Sequence, residues 1–269
     1  MKIFNPYQHQ AKKRFGQNFL TDYSIIDRIV AGIQPKEGDN MLEIGPGLGA
    51  LTRQVLPKTK TMTVIELDRD VIPKLKFNCD GLGELNIVEK DALKVDFSTF
   101  ARDKSLRVIG NLPYNISTPI LFHLFDHLSA IQDMHFMLQK EVVERIVAQP
   151  GSKTYGRLSV MTQFFCDAQM LFIVPPEAFE PPPKVDSAII RLKPRIQPLQ
   201  CEDFATFSAM VTEAFNMRRK TVRNVWKKRL TEEELKTLKI DPAARPENLE
   251  LSAFLDASNF VYRTQGLLE

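Results

Sequence analysis

The feature that most constrains this chain is a short apolar run that passes directly into closely spaced glycines. Residues 41–44 are typical of a buried strand, and Gly45, Gly47 and Gly49 follow at once, before a helical pattern resumes at Ala50. Because glycine has no side chain, a strand-to-helix turn of this kind lets the backbone approach a ligand closely. By itself, the cluster is as compatible with a simple tight turn as with a binding loop.

Similar apolar runs recur along the chain, with enough residues between them for helical crossovers. The predicted strands are residues 41–44, 63–67, 86–88, 106–109 and 134–138. A helix is predicted before them, from apolar residues at helical spacing: Ile25, Ile26, Ile29, Val30 and Ile33. This alternation predicts an α/β fold with a parallel, doubly wound sheet.

The pattern then changes in the last part of the chain. Residues 170–174 and 187–192 are predicted strands, and the proline-rich connection between them is too short for a helical crossover. We therefore expect an antiparallel pair at the sheet edge. Beyond this pair the composition is helical and charged, which predicts one domain over residues 1–196 and a small helical bundle over residues 197–269.

Composition excludes several classes of protein. The 269 residues are 43% hydrophobic, which is enough to bury a sizeable core, and the formal net charge is only +3. The three cysteines are scattered without CxxC spacing, so neither a disulfide framework nor a thiolate metal site is expected. The chain shows no pattern of a signal peptide or a membrane helix, which predicts a cytoplasmic protein without a membrane partner.

Two acidic residues end successive predicted strands beyond the glycines. Glu66 suits hydrogen bonds from ribose hydroxyls, and Asp91 suits the exocyclic amine of an adenine. The glycines do not follow the dinucleotide pattern, and Pro46 removes an amide donor that a pyrophosphate would need. Each acid alone is compatible with a solvated strand end, but together with the glycines they predict a site for S-adenosylmethionine.

A second cluster, Asn111-Leu112-Pro113-Tyr114, follows the fourth predicted strand. The lone pair of an aromatic amine is delocalised, so a methyl acceptor of this kind has to be oriented and polarised. The Asn111 side-chain oxygen and the backbone carbonyl of Leu112 or Pro113 each suit one amine hydrogen, and Tyr114 suits stacking on an extruded base. The alternative is a proline turn in which Asn111 caps and Tyr114 packs.

Five segments occur in an order that is specific when they are taken together: residues 15–20, 43–49, 111–115, 179–185 and 215–223. They resemble the bacterial small-subunit ribosomal RNA adenine N6,N6-dimethyltransferases over nearly the whole chain. The resemblance implies a seven-stranded Rossmann-like class I methyltransferase sheet with a small C-terminal helical domain. The positions that match cofactor contacts of the family are Asn18, Leu20, Gly45, Glu66, Asp91 and Asn111.

The same resemblance implies a substrate and a partner. The substrate would be two adjacent adenines in the 3′-terminal hairpin loop of small-subunit ribosomal RNA, each of which receives two methyl groups. The partner would be the small subunit or its precursor, bound by a monomeric enzyme with a role in ribosome biogenesis. Phe179 matches an aromatic residue that packs on the target base opposite Tyr114, although an apolar residue in a proline-rich loop is more often core.

Basic residues are concentrated in the predicted helical domain. The resemblance and the charge density together predict RNA contacts by Arg218, Arg219, Lys220 and Arg223. Three more cations follow at positions 227–229, beside Trp226. A solvated helix face is the ordinary interpretation of such a run, and the acidic residues 232–234 offset its charge.

Two other functions remain open from the sequence. One is the related class that dimethylates large-subunit ribosomal RNA, and the other is an RNA-binding assembly factor for which methylation is secondary.

A metal site is not expected, because His123 and His127 have helical i, i+4 spacing without an evident third ligand.

Overall fold

The computed structural model describes residues 18–101, 103–196, 199–217 and 219–265. The strands are β1 (Phe19–Leu20), β2 (Asn40–Ile44), β3 (Thr61–Glu66), β4 (Glu84–Glu89), β5 (Leu106–Asn111), β6 (Ile131–Gln139), β7 (Cys166–Val174), β8 (Phe179–Glu180) and β9 (Ser187–Pro194). The α-helices are α1 (Tyr23–Ile33), α2 (Thr52–Thr59), α3 (Ile72–Cys79), α4 (Ser117–Phe125), α5 (Lys140–Ile146), α6 (Arg157–Phe165), α7 (Phe204–Asn216), α8 (Val222–Val225), α9 (Glu232–Thr237) and α10 (Leu251–Gln265).

Within the described residues, seven strands form one sheet in the order β4-β3-β2-β5-β6-β9-β7. The neighbouring strands from β4 to β6 are parallel, and β9 runs antiparallel to β6. The α/β prediction is therefore confirmed, and β7 and β9 are neighbours at the edge, where the sequence predicted a strand pair. The chain leaves β2 toward β3 on one side and returns to β5 on the other, so the carboxyl ends of β2 and β5 flank a crevice that favours ligand binding.

Helix α1 shows why the sequence folds as predicted here. Asp22 caps it, since its carboxylate accepts hydrogen bonds from the backbone N–H groups of Ser24 at 2.8 Å and Ile25 at 3.2 Å. The five apolar residues predicted for its inner face are all buried. They join one hydrophobic core with residues of α2, α3 and one face of the sheet, and this core supports the strand ends from below.

The chain divides into two compact units. The first comprises the described residues up to Val143 together with Gln169–Pro194, and the second comprises Glu144–Ala168 with the described residues from Arg195 onward. The sequence placed a single boundary at residue 196. In the structure residues 144–168 group with the C-terminal residues, because contacts within that unit are formed by segments distant in sequence, such as the hydrogen bond from the Tyr155 hydroxyl to the Leu249 carbonyl at 3.0 Å.

Candidate active site

A cavity of about 330 Å³ opens at the carboxyl edge of the sheet in the first unit. Its walls come from the ends of β2, β3, β4 and β5 and from β1. Among its lining residues are nine that the sequence singled out for cofactor or target contacts: Asn18, Leu20, Gly45, Glu66, Asp91, Asn111, Leu112, Pro113 and Tyr114. The size is in the range of small-molecule sites, roughly 300–1,000 Å³.

The glycine turn after β2 forms the floor of this cavity. Gly45, Gly47 and Gly49 have φ angles of +67°, +54° and +87°, which side chains of L-residues rarely allow. A Cβ atom on Gly47 would also lie 3.1 Å from the ring of Phe19 in β1. The turn therefore needs glycine both for its backbone conformation and for the close approach of the neighbouring strand.

Glu66 lies at the end of β3 and is only 7% exposed. Its two carboxylate oxygens accept hydrogen bonds from the backbone N–H groups of Gly47 at 3.1 Å and Asp68 at 2.8 Å. Burial raises the pKa of this carboxyl, and these backbone donors act in the opposite direction. Because each carboxylate oxygen can accept more than one hydrogen bond, the group retains capacity for a ligand while it holds the glycine turn.

Asp91 follows β4 and lines the same cavity. One of its carboxylate oxygens, Oδ1, accepts a hydrogen bond from the backbone N–H of Leu93 at 3.0 Å and caps the short 3-10 helix Ala92–Lys94. The cap fixes the carboxylate at the cavity wall. The structure thus brings Glu66 and Asp91 to one rim, as expected from consecutive parallel strands.

Glu43 is a cavity residue whose role the sequence analysis did not predict. It is 2% exposed, lines the cavity and accepts a hydrogen bond from the Thr52 hydroxyl at 2.6 Å. Burial raises the pKa of its carboxyl to about 7, with a smaller contribution from the charge of Glu66. An acidic residue within an otherwise apolar strand, two positions before the glycines, was the feature that could have identified it.

Asn111 lies at the end of β5, and a hydrogen bond to the backbone of Asn18 holds its side chain in place. The amide nitrogen donates to the backbone carbonyl of Asn18 at 3.0 Å, which leaves the amide oxygen for another donor. In the following turn, the carbonyl of Pro113 accepts the backbone N–H of Ile116 at 3.1 Å. The described residues offer no donor to the carbonyl of Leu112, so of the two carbonyls that the sequence left open this one is unoccupied.

Tyr114 completes this side of the cavity. Its hydroxyl lies 2.6 Å from the hydroxyl of Ser187, the first residue of β9. Burial raises the pKa of the Tyr114 phenol above its ordinary value, so the group is neutral at physiological pH. The side chain is thus suited to ring contacts and not to proton abstraction.

The structure places Phe179 away from the cavity surface. Phe179 is 3% exposed, pairs with Leu20 between β8 and β1 and belongs to the main hydrophobic core. It is not among the residues that line the cavity. The Phe179 ring belongs to the same core cluster as Leu20 of β1, because the alternation of side chains along β8 directs it into the core.

The basic residues of the second unit have unequal surroundings. Arg218 lies outside the described residues, whereas Arg219 and Lys220 are exposed. Arg223 forms an ion pair with Glu232 at 2.9 Å, and Arg229 pairs in the same way with Glu213 at 2.6 Å. These pairs reduce the charge that is available to a polyanion.

Trp226 and the histidine pair are structural in this fold. Trp226 is fully buried, and its ring nitrogen donates to the Met210 carbonyl at 3.2 Å. His123 contacts the Val95 carbonyl at 2.8 Å, and the rings of His123 and His127 both lie against Phe97. Within the described part of the chain, no group of three or more His, Cys, Asp or Glu side chains could hold a metal, and no helix is long and apolar enough to cross a membrane.

Comparison with known proteins identifies the family. The family model described as ribosomal RNA adenine dimethylase matches residues 8–262. The chain belongs to the ribosomal RNA adenine dimethylase family. It is therefore a methyltransferase, and the seven-stranded sheet is a class I methyltransferase fold.

Individual relatives agree with this family. A protein of Hahella chejuensis named ribosomal RNA small subunit methyltransferase A is 52% identical over 256 residues, which cover 94% of each chain. The structure of a dimethyladenosine transferase from Plasmodium falciparum is similar, with a TM-score of 0.80, 28% identity and coverage of 92% of this chain and 98% of that one. The 23S ribosomal RNA methyltransferase ErmE shares the fold, with a TM-score of 0.71, 24% identity and coverage of 91% and 99%.

Proposed function

We propose that this dimethylase transfers methyl groups from S-adenosylmethionine to the N6 amines of two adjacent adenines in the 3′-terminal hairpin loop of small-subunit ribosomal RNA. The observation that carries the proposal is that Glu66 and the glycine turn line the same cavity as Asn111 and Tyr114. A methyl donor and a base can both reach such a cavity. The relatives that match over nearly their full length are named for the small subunit, which favours that subunit over the large one.

The lining residues fit S-adenosylmethionine in charge and shape. The carboxylate of Glu66 suits the ribose hydroxyls, and that of Asp91 suits an adenine amine. The buried carboxylate of Glu43 suits the ammonium group of the methionine part, since a buried anion is stabilised by an adjacent cation. Asn18, Leu20 and Gly45 complete this half of the cavity. When bound, the cofactor supplies an electrophilic methyl group on a sulfonium.

The protein's own contribution to the reaction is the orientation of the adenine amine. The Asn111 side-chain oxygen accepts one amine hydrogen and the Leu112 carbonyl accepts the other, which directs the nitrogen lone pair toward the cofactor half of the cavity. Pro113 shapes the turn that presents the Leu112 carbonyl. The Tyr114 ring stacks on the extruded base. A strong general base is not required, because the exocyclic amine of adenine loses its extra proton readily once it has been methylated.

RNA binding is assigned to the C-terminal part of the chain, in the region predicted as residues 197–269. Arg218, Arg219 and Lys220 are proposed to contact backbone phosphates, and Arg223 contributes less because Glu232 shares its charge. The partner is the small subunit or its precursor, on which the enzyme acts as a monomer in the cytoplasm, where ribosomes are assembled.

The decisive experiment uses labelled S-adenosylmethionine and small subunits that lack the modification. The expected result is four methyl groups per subunit, located on two neighbouring adenines of the 3′-terminal hairpin loop. Large subunits and modified small subunits serve as controls. Methylation that maps to another base, or that occurs only on large subunits, would refute the proposal.

A further inference from the structure

The hydroxyl groups of Tyr114 and Ser187 lie 2.6 Å apart, although 73 positions separate the residues in sequence. Tyr114 lines the cavity, whereas Ser187 is fully buried behind it. The described residues provide no other hydrogen bond to the Ser187 hydroxyl. A buried hydroxyl whose one partner is a cavity residue points to a role in the site.

Ser187 is held in place by the sheet itself. Its strand β9 pairs with β6 in a register that sets Gln139 opposite Ser187. The backbone N–H of Lys140 donates to the carbonyl of Asp186 at 3.0 Å, just beyond this pair. Both strands have a neighbour on either side, so the serine hydroxyl projects from an interior part of the sheet.

Tyr114 lies instead in the irregular turn between β5 and α4. Its backbone carbonyl accepts a hydrogen bond from the Ser117 hydroxyl at 3.2 Å, which fixes the main chain but not the ring. If the ring were free to rotate, binding of the base would have to immobilise it. The entropy lost in that step would make productive alignment of the base less favourable. A hydrogen bond at the far end of the ring removes this freedom in advance.

We propose that Ser187 is a positioning residue that holds the Tyr114 ring in the orientation that the target adenine requires. The inference rests on the proposed function, because it assumes that the adenine stacks on Tyr114. Binding of the subunit depends mainly on phosphate contacts elsewhere in the chain. Loss of the Ser187 hydroxyl should therefore lower kcat and leave KM unchanged.

The test compares Ser187→Ala with the wild-type enzyme on unmodified small subunits. We expect kcat to fall about three- to tenfold, as for the loss of one hydrogen bond, with unchanged KM and unchanged affinity for S-adenosylmethionine. Ser187→Thr retains a hydroxyl and should restore most of the rate. Ser258→Ala is the matched control, because that buried serine donates to the Leu255 carbonyl at 3.0 Å and does not line the cavity.

A second comparison uses Tyr114→Phe, which removes the same contact from the other side. We expect this variant to be as slow as Ser187→Ala, and the double variant to be no slower than either. The inference is overturned if the two losses multiply, if Ser187→Thr is as slow as Ser187→Ala, or if weaker cofactor binding accounts for the loss. Failure of the wild-type enzyme to methylate the hairpin would refute the proposed function, whereas these outcomes with an active wild type refute only the role of Ser187.

Discussion

The side-chain amide of Asn111 donates to the backbone carbonyl of Asn18 at 3.0 Å, across 93 positions of sequence. This contact joins the end of a central strand to the segment that enters β1, and both residues line the cavity. It also determines which atom of the amide remains available, because the nitrogen is occupied and the oxygen is not. A residue that matches a cofactor contact of the family is therefore equipped to hold the target amine as well.

Replacement of Asn111 by alanine should abolish most methyl transfer while the fold is retained. Because the variant loses an oriented acceptor at the reacting amine, we expect kcat to fall by roughly 10²–10³. Single-turnover methylation of unmodified small subunits measures this effect. Asn86→Ala is the control, because Asn86 is exposed on β4 and does not line the cavity. A normal rate for Asn111→Ala would show that the residue does not hold the amine.

Replacement of Glu66 by glutamine should weaken cofactor binding. The backbone N–H groups of Gly47 and Asp68 both donate to the Glu66 carboxylate. In the variant, the new amide N–H would oppose one of these donors, and the negative charge would be lost. Hydrogen bonds to a charged group are worth about 1.5–3 kcal/mol, which predicts roughly a 10- to 100-fold loss of affinity by calorimetry. The control Glu89→Gln changes an exposed carboxylate at the end of the neighbouring strand. Equal affinities for both variants would contradict the assignment of Glu66.

Replacement of Gly47 by alanine should disturb the cofactor half of the cavity more than it disturbs the fold. The positive φ of +54° costs about 1–2 kcal/mol for an L-residue, and the new methyl group would also press on Phe19 at 3.1 Å. Gly81→Ala is a matched control, since its φ is +74° and no atom lies within 4 Å of the new Cβ. We expect both variants to lose thermal stability, Gly47→Ala somewhat more because of the contact with Phe19, but weaker cofactor binding only for Gly47→Ala. Weakened binding in both variants would exclude the steric explanation.

His135 should make the fold sensitive to acid. It is 4% exposed, both ring nitrogens lack a hydrogen-bond partner among the described residues, and burial lowers its pKa to about 4. The unfolded chain binds this proton at a higher pH than the folded one, so its full contribution to stability is present above pH 6.5 and is lost as the pH falls toward 4. The limit of this loss is roughly 3 kcal/mol, at 1.36 kcal/mol per pKa unit.

Denaturant unfolding between pH 4 and pH 7 checks this expectation. The raised pKa of Glu43 acts in the opposite direction over the same range, so the informative quantity is the change in slope relative to the wild type. His135→Leu should lower the slope of the unfolding free energy against pH, whereas His127→Gln, which changes a partly exposed ring beside Asp96, should leave the slope nearly unchanged. If the two variants change the slope by the same amount, the burial of His135 does not account for the effect.

Replacement of both Arg219 and Lys220 by alanine should weaken RNA binding and flatten its dependence on salt. Each phosphate contact contributes about 0.9 to the slope of log affinity against log salt, so the double variant should lose up to roughly two units. Arg223→Ala should change the slope less, because Arg223 is paired with Glu232 at 2.9 Å. An unchanged slope in the double variant would mean that these side chains face only solvent.

The features that the sequence identified correctly are local or periodic. Apolar runs predicted the strands of the sheet, and helical spacing predicted the buried face of α1, because burial on one face imposes a regular pattern on the chain. The glycine turn and the acids at the ends of β3 and β4 were recognisable because they directly follow these predicted strands. In a parallel sheet, the carboxyl ends of the strands meet at one edge, so neighbouring motifs converge without further information.

The tertiary structure alone decided how these motifs are completed. It tied Asn111 to Asn18, occupied the Pro113 carbonyl and left that of Leu112 for a ligand, and set the Ser187 hydroxyl behind Tyr114. It also assigned Phe179 to the core. Each of these outcomes depends on strand order and register, which bring together residues far apart in sequence. The sequence by itself determined the family, the chemistry and the edge of the sheet where it occurs, whereas packing between distant segments decided which atoms remain free to bind.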